Sequence, residues 1–252
     1  MRKFFPLLSA TAVAVLLAVS PAPAASLDDQ QKKEIEELVR AYLLDHPEIL
    51  RDMSANLEAK EKAAEEQVRS KTLVENASVI FKSPTDPVAG NPEGDVTVIE
   101  FMDYNCSWCK KGMAEIAGII EADKNVKVVF KEFPIFGAGS EFAARAAMAA
   151  AKQGKYWELH SALFSHDGPV TQDVTQQLAT DLGLDMVKLE SDMKGEAISK
   201  ALGETQALAI SMQINGTPAF IVDDKVFPGY VPKEQLIEAI AAVRSNGGCK
   251  LC

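Results

Sequence analysis

The stretch Val96-Thr97-Val98-Ile99-Glu100-Phe101-Met102-Asp103-Tyr104-Asn105-Cys106-Ser107-Trp108-Cys109-Lys110 decides the fold of this chain. Val96 to Phe101 is a run of β-branched and apolar residues broken by one charge, Glu100, and reads as a buried strand. The segment Cys109-Lys110-Lys111-Gly112-Met113-Ala114-Glu115-Ile116 begins a helix directly after it. Val126-Lys127-Val128-Val129-Phe130-Lys131-Glu132-Phe133 reads as a second strand. Strand, helix and strand in that order predict a right-handed crossover with parallel strands, hence an α/β fold.

Further along the chain, residues 138–212 hold several helical stretches and no convincing strand, which predicts an all-helical insertion. Strand patterns return in Ala219-Phe220-Ile221-Val222 and Lys225-Val226-Phe227, joined by Asp223-Asp224 as a hairpin, and a last helix spans Pro232 to Arg244. Residues 245–252 read as a flexible tail. Toward the N-terminus, turn formers crowd residues 83–94, so a boundary is expected between residues 77 and 95. Before it, residues 27–76 form a charged helical extension. Ile35, Leu38, Val39, Tyr42 and Leu43 recur at helical spacing, and Asp45-His46-Pro47-Glu48 separates a first helix from a second. Leu50, Met53, Leu57, Ala64 and Val68 give the second helix a thin apolar stripe, which fits either an oligomerisation arm or a helix lying on its own domain.

Residues 1–24 pair Arg2 and Lys3 with an apolar run from Phe4 to Val19 and end in Ala22-Pro23-Ala24, the pattern of a cleavable secretory signal. No Cys follows at the cleavage point, as a lipid-modified signal requires. The expected location is the periplasm. The net charge of −10 becomes about −12 once Arg2 and Lys3 are removed, which disfavours nucleic acid as a partner.

All four cysteines fall in two C-x-x-C pairs, Cys106/Cys109 and Cys249/Cys252, which points to chemistry before structure. Between a strand end and a helix start, Cys106 meets unpaired amides and the positive end of the helix dipole, so its thiolate is favoured. Cys109, one turn further in, is placed to attack a mixed disulfide at Cys106. A structural disulfide, half of a zinc site, or two unrelated buried thiols remain alternatives for a lone C-x-x-C. Glu100 and Lys131, charges inside apolar strands, can compensate one another near the sulfurs or point to solvent. In Gly216-Thr217-Pro218-Ala219-Phe220 the Pro precedes a strand, where a cis bond would turn the Thr217 backbone toward an incoming peptide.

In that order of elements, residues 83–244 resemble the DsbA-like branch of the thioredoxin superfamily. The resemblance rests on the Phe101–Lys110 run, on Val129-Phe130-Lys131-Glu132-Phe133-Pro134 and on Gly216–Phe220. It implies a thioredoxin-like fold with an inserted helical domain. It also implies a protein thiol-disulfide oxidoreductase or disulfide isomerase, with no organic cofactor, acting on exported proteins and recharged by a membrane redox partner. Cys106 would be the nucleophile, Cys109 the resolver, Glu100 and Lys131 proton-handling neighbours, and Thr217-Pro218 a cis docking loop. The dipeptide Ser107-Trp108 departs from relatives that carry Pro with His or Tyr. It lacks an ionisable group, which leaves the oxidising strength open. The 27–76 extension is similar to that of oligomeric relatives of the suppressor-of-copper-sensitivity type, in which self-association favours isomerisation.

Cys249 and Cys252 fit a passive disulfide, a second redox pair exchanging with Cys106/Cys109, or a soft copper(I) site. The rival reading of the whole chain is a copper(I)-binding protein using one or both pairs. His160 is expected to pack on its helix, His46 to sit at a helix junction and His166 in a loop. Phe136, Phe164 and Tyr230 fit either an apolar groove or ordinary core.

Overall fold

The computed structural model describes residues 27–252, so the signal reading of residues 1–24 lies outside the described residues. The chain divides into two compact units, one ending at Leu57 and one spanning Glu58–Cys252.

In the first unit, helix α1 (Asp29–Asp45) opens on a capping box. The Asp28 carboxylate accepts from the Gln31 amide at 2.8 Å, and the Asp28 amide donates to the Gln31 side chain at 3.0 Å. It stops at His46, whose N–H closes on Tyr42 O, and helix α2 (Glu48–Glu75) starts beyond Pro47. No residue of α1 is buried. Leu38 and Leu44 are 69% and 72% exposed, and Leu50, Met53 and Leu57 are also exposed.

The second unit is built on a five-stranded sheet in the order β1 (Val88–Gly90), β3 (Val126–Glu132), β2 (Val96–Met102), β4 (Ala219–Val222), β5 (Lys225–Pro228). Its centre is β2 (Val96–Met102), every residue of which is buried. β3 (Val126–Glu132) lies parallel to it, after helix α4 (Ser107–Ala122), as the crossover pattern predicts. β4 (Ala219–Val222) pairs antiparallel with β2 and turns through Asp223-Asp224 into β5 (Lys225–Pro228). Asp223 adopts φ 52°, a left-handed conformation that Asp tolerates and a two-residue hairpin favours. Between β3 and β4 run five helices: α5 (Ala138–Ala151), α6 (Tyr156–Ser165), α7 (Gln172–Asp181), α8 (Met186–Met193) and α9 (Glu196–Ser211). Helix α10 (Lys233–Ser245) closes the fold.

Both faces of the sheet are covered, which is why β2 lacks polar alternation. One face sets Val98, Met102, Val128 and Phe130 against the cysteines, Ile116 of α4 and the α5–α8 helices. The other sets Ile99, Phe101, Val129 and Ile221 against Leu73, Ile80 and Phe81 and against Leu208 of α9 and Met212, which caps it.

Three sequence expectations change. The segment read as a boundary at 77–95 contains α3 (Ala77–Phe81) and β1 (Val88–Gly90), which pairs antiparallel with β3. The C-terminal end of the 27–76 segment joins the second unit, where Leu73 of α2 is fully buried. Lys131 does not reach the sulfurs. Glu100 stands opposite Phe130 and Lys131 opposite Phe101, so strand alternation sends the two charges to opposite faces. Lys131, 2% exposed, instead pairs with Asp86 and donates to Val79 O at 2.6 Å, tying the 77–88 segment under the sheet.

Removing one member of a buried ion pair leaves the other uncompensated. Lys131→Ala is expected to lower stability by about 3–5 kcal/mol in urea unfolding, and Lys131→Met with Asp86→Leu to recover most of that loss. Equal losses for the single and double variants would contradict the pairing.

Candidate active site

The end of β2 is shaped by a loop whose polar side chains all face inward. Asp103, 1% exposed, accepts from the Asn105 amide at 2.7 Å through one oxygen, and from the Ile135 and Phe136 amides at 2.7 and 3.0 Å through the other. Asn105 reaches across to the helical insertion, donating to Ser140 Oγ and Val170 O at 3.0 Å and accepting from the Val170 amide at 2.8 Å. Gly139 beside it has no room for a Cβ, which would fall 2.5 Å from Val170 O. These contacts fix the backbone that delivers Cys106 to the start of α4, where it is the N-cap residue.

In the structure Cys106 and Cys109 are free thiols, and Cys106 Sγ lies 3.1 Å from Thr217 O. The Thr217-Pro218 bond is cis, as the resemblance implied. The Cys106 thiol is pulled down to about 6, first by a hydrogen bond with Cys109 and then by Thr217 and the amides of Cys109 and Trp108, against the cost of burial. Cys109 is fully buried and its thiol is driven far up, first by burial and then by Cys106 and Glu100. The two sulfurs are thus made unequal by position. Glu100 lies on the same face beneath α4, its Oε1 within 3.7 Å of the Cβ position of Gly112. Burial, and then the charge of Cys106, push it up to about 8.

A second polar cluster, which the sequence reading did not assemble, sits one register step along the same face. Glu132 Oε1 accepts from Tyr104 and Tyr156 hydroxyls at 2.8 and 3.0 Å, and both hydroxyls also lie 3.1–3.2 Å from His160 Nδ1. Burial pushes Glu132 well above the usual carboxyl range and His160 down to about 3. His160 therefore packs, as expected, but inside a hydrogen-bonded quartet. A Glu at 132 that alternates in phase with Phe130 was the available signal.

The rim is aromatic. Trp108, 54% exposed, packs at 5.3 Å from Tyr230, and Lys111 lies over both rings at 5.3 and 4.5 Å. Ser107 is exposed on the first turn of α4. Phe136 is exposed and lines, with Asn105, Phe142, Arg145 and Val170, a cleft of about 610 Å³. Phe164 is buried against Tyr104 and belongs to the core. His166 caps α6, and its carbonyl accepts from Lys110 Nζ at 2.8 Å.

Cys249 and Cys252 form a disulfide, and the tail carrying them is anchored rather than loose: the Lys250 and Leu251 amides both donate to Asp223 Oδ1 at 2.9 Å. Among the described residues, no group of three or more His, Cys, Asp or Glu side chains is arranged to hold a metal ion.

The model of the DsbA-like thioredoxin domain matches residues 97–241, and that of the N-terminal domain of the copper resistance protein ScsC matches residues 31–64. The chain belongs to the DsbA-like thioredoxin family. A thioredoxin-like oxidoreductase from Silicibacter pomeroyi is 45% identical, covering 67% of this chain and 97% of its own, with a TM-score of 0.65. A periplasmic thioredoxin-like protein from Salmonella enterica is 28% identical over 68% of this chain and 95% of its own, with a TM-score of 0.61. Disulfide bond formation protein D of Bacillus subtilis is 31% identical over 166 residues, 61% of this chain and 75% of that protein. Other curated relatives are Na(+)/H(+) antiporters, such as one from Salinispora tropica that is 27% identical over 177 residues, 66% of this chain. The chain spans only 27% of that antiporter's length.

Burial favours neutral Glu100, so its contribution to stability is complete below the ordinary carboxyl value of 4.5 and is lost as pH rises to about 8. Glu100→Gln is therefore expected to gain on the parent across that window, by a few kcal/mol (~1.4 per pH unit), in urea unfolding at successive pH values. A constant difference between the two would place Glu100 in contact with solvent.

Proposed function

We propose that this protein is a periplasmic thiol-disulfide oxidoreductase or isomerase of exported proteins. The carrying observation is the unequal pair: a depressed Cys106 thiol at the N-cap of α4, 3.1 Å from Thr217 O, over a buried Cys109. Cys106 thiolate attacks a substrate disulfide, forming a mixed disulfide and expelling one substrate thiolate. Cys109 then loses its proton to ionised Glu100 and attacks Cys106 Sγ. The second substrate thiol departs and the Cys106–Cys109 disulfide remains. Run backwards, the same steps oxidise a substrate dithiol. Release before Cys109 acts leaves the substrate rearranged, which is isomerisation. Thr217 O and N flank the incoming chain, and Trp108, Tyr230 and Phe136 offer it apolar contact. No organic cofactor takes part. The signal pattern of residues 1–24 and the periplasmic relative support the location, and a membrane redox partner would restore the pair.

The exposed apolar side chains of α1 and early α2, together with the match to the ScsC N-terminal domain, support self-association through the helical extension read as residues 27–76. Asymmetry in Cys106/Cys109 needs none of that, so the two properties are separable.

Cys106→Ala is expected to abolish insulin reduction, while Cys249→Ala with Cys252→Ala retains most of it; a dead tail variant would move the site. Deleting residues 27–57 is expected to lower the mass seen by light scattering and to weaken isomerase activity more than reductase activity. An unchanged mass would remove the oligomer.

A further inference from the structure

The Cys249–Cys252 disulfide joins no two elements of the fold. Both sulfurs lie in the same tail with two residues between them, and loop closure this short constrains little of the unfolded chain. What holds the tail to the domain is Asp223. Its Oδ1 accepts the Lys250 and Leu251 amides at 2.9 Å, and the Cys249 sulfur lies 3.4 Å from the same oxygen. Two consecutive amides converge on one oxygen because the closed ring bends the chain between the sulfurs. Leu251 and Cys252 then rest on the apolar face around Ile221, while both cysteines stay only half-buried and within reach of a reagent.

The pair is remote from Cys106. Cys106 Sγ touches Thr217 O, before β4, whereas Cys249 touches Asp223, after β4. Six residues of extended chain separate those contacts by about 20 Å. The end of α10 is pinned by Arg244 to Asp123 at 2.6 Å and to Asp95 at 2.7 Å, beyond the far end of α4 from Cys106. The 16 residues of α4 rise about 24 Å, while the four residues from Ser245 to Cys249 reach at most about 14 Å. While the tail is docked on Asp223, the tail pair and Cys106 of one molecule therefore do not meet.

We propose that Cys249–Cys252 is a second disulfide-exchange site, addressed by dithiols of other molecules, which clasps Asp223 when oxidised and lets go when reduced. An external dithiol attacks one tail sulfur through its thiolate and forms a mixed disulfide, expelling the other tail sulfur as thiolate. Its second thiolate displaces the mixed disulfide. The dithiol leaves as a disulfide, and its two electrons and two protons remain on Cys249 and Cys252 as thiols. Opening the ring frees the bend at Lys250-Leu251, so the hold on Asp223 is lost. This goes beyond the activity assigned to Cys106 and is independent of it.

The test uses the full chain carrying Cys106→Ala and Cys109→Ala, so failure of the first site leaves it intact. The chain is equilibrated without denaturant in dithiothreitol buffers of graded reduced-to-oxidised ratio, and tail thiols are counted by alkylation and mass. Expected is a reversible transition to two alkylated cysteines with unchanged far-UV circular dichroism, and at least tenfold faster amide exchange at Lys250 and Leu251 after reduction. Asp223→Gly, which keeps the left-handed turn but removes the carboxylate, is expected to shift the midpoint about tenfold toward weaker reductant. A tail that stays oxidised until the chain is unfolded, or that is reduced with no change in amide exchange, overturns the proposal.

Discussion

Everything at the reactive end depends on one constraint: a sulfur placed at the first turn of a helix, where amides without intrahelical partners favour a negative charge. The surrounding structure serves to hold it there. Strand β2 is buried on both faces, so its end cannot shift. Asp103 ties three amides of the following segments, and Asn105 bridges to the helical insertion. With the backbone fixed in this way, Cys106 has one position relative to Thr217 O and one relative to the buried Cys109.

The same burial that makes Cys109 unreactive raises Glu100, and the two effects are complementary. A resolving thiol sealed from solvent needs a base that is also sealed. A carboxyl held near 8 can be charged at the moment a proton must leave and neutral otherwise. The Glu132–Tyr104–Tyr156–His160 quartet on the same face is a different device. Its members hydrogen-bond through Glu132 Oε1 and His160 Nδ1 and tie β3, the cysteine loop and α6 together, so it gives rigidity to the wall behind the cysteine loop.

Most of the architecture was legible because its periods are strong. The Val96–Phe101 run, the C-x-x-C at a strand-helix junction, the Asp223-Asp224 turn and the strandless 138–212 block each carry local signals that the tertiary structure keeps. The misplacements have a common cause. Which face a strand residue takes depends on register with its neighbour, and register is not written in either strand alone; hence Lys131 was set beside Glu100 when it lies under the sheet with Asp86. Short elements such as β1 and α3 carry too few residues to show a period. The anchored tail depends on a carboxylate 26 residues away from Cys249, a contact no local pattern announces.

The most direct measurement is the rate of alkylation of Cys106 across a pH series in the full chain. A midpoint near 6, with Cys109 unlabelled throughout, is the predicted result. A thiol that titrates like free cysteine, about 8.5, or that is sealed from the reagent at every pH, would contradict the account.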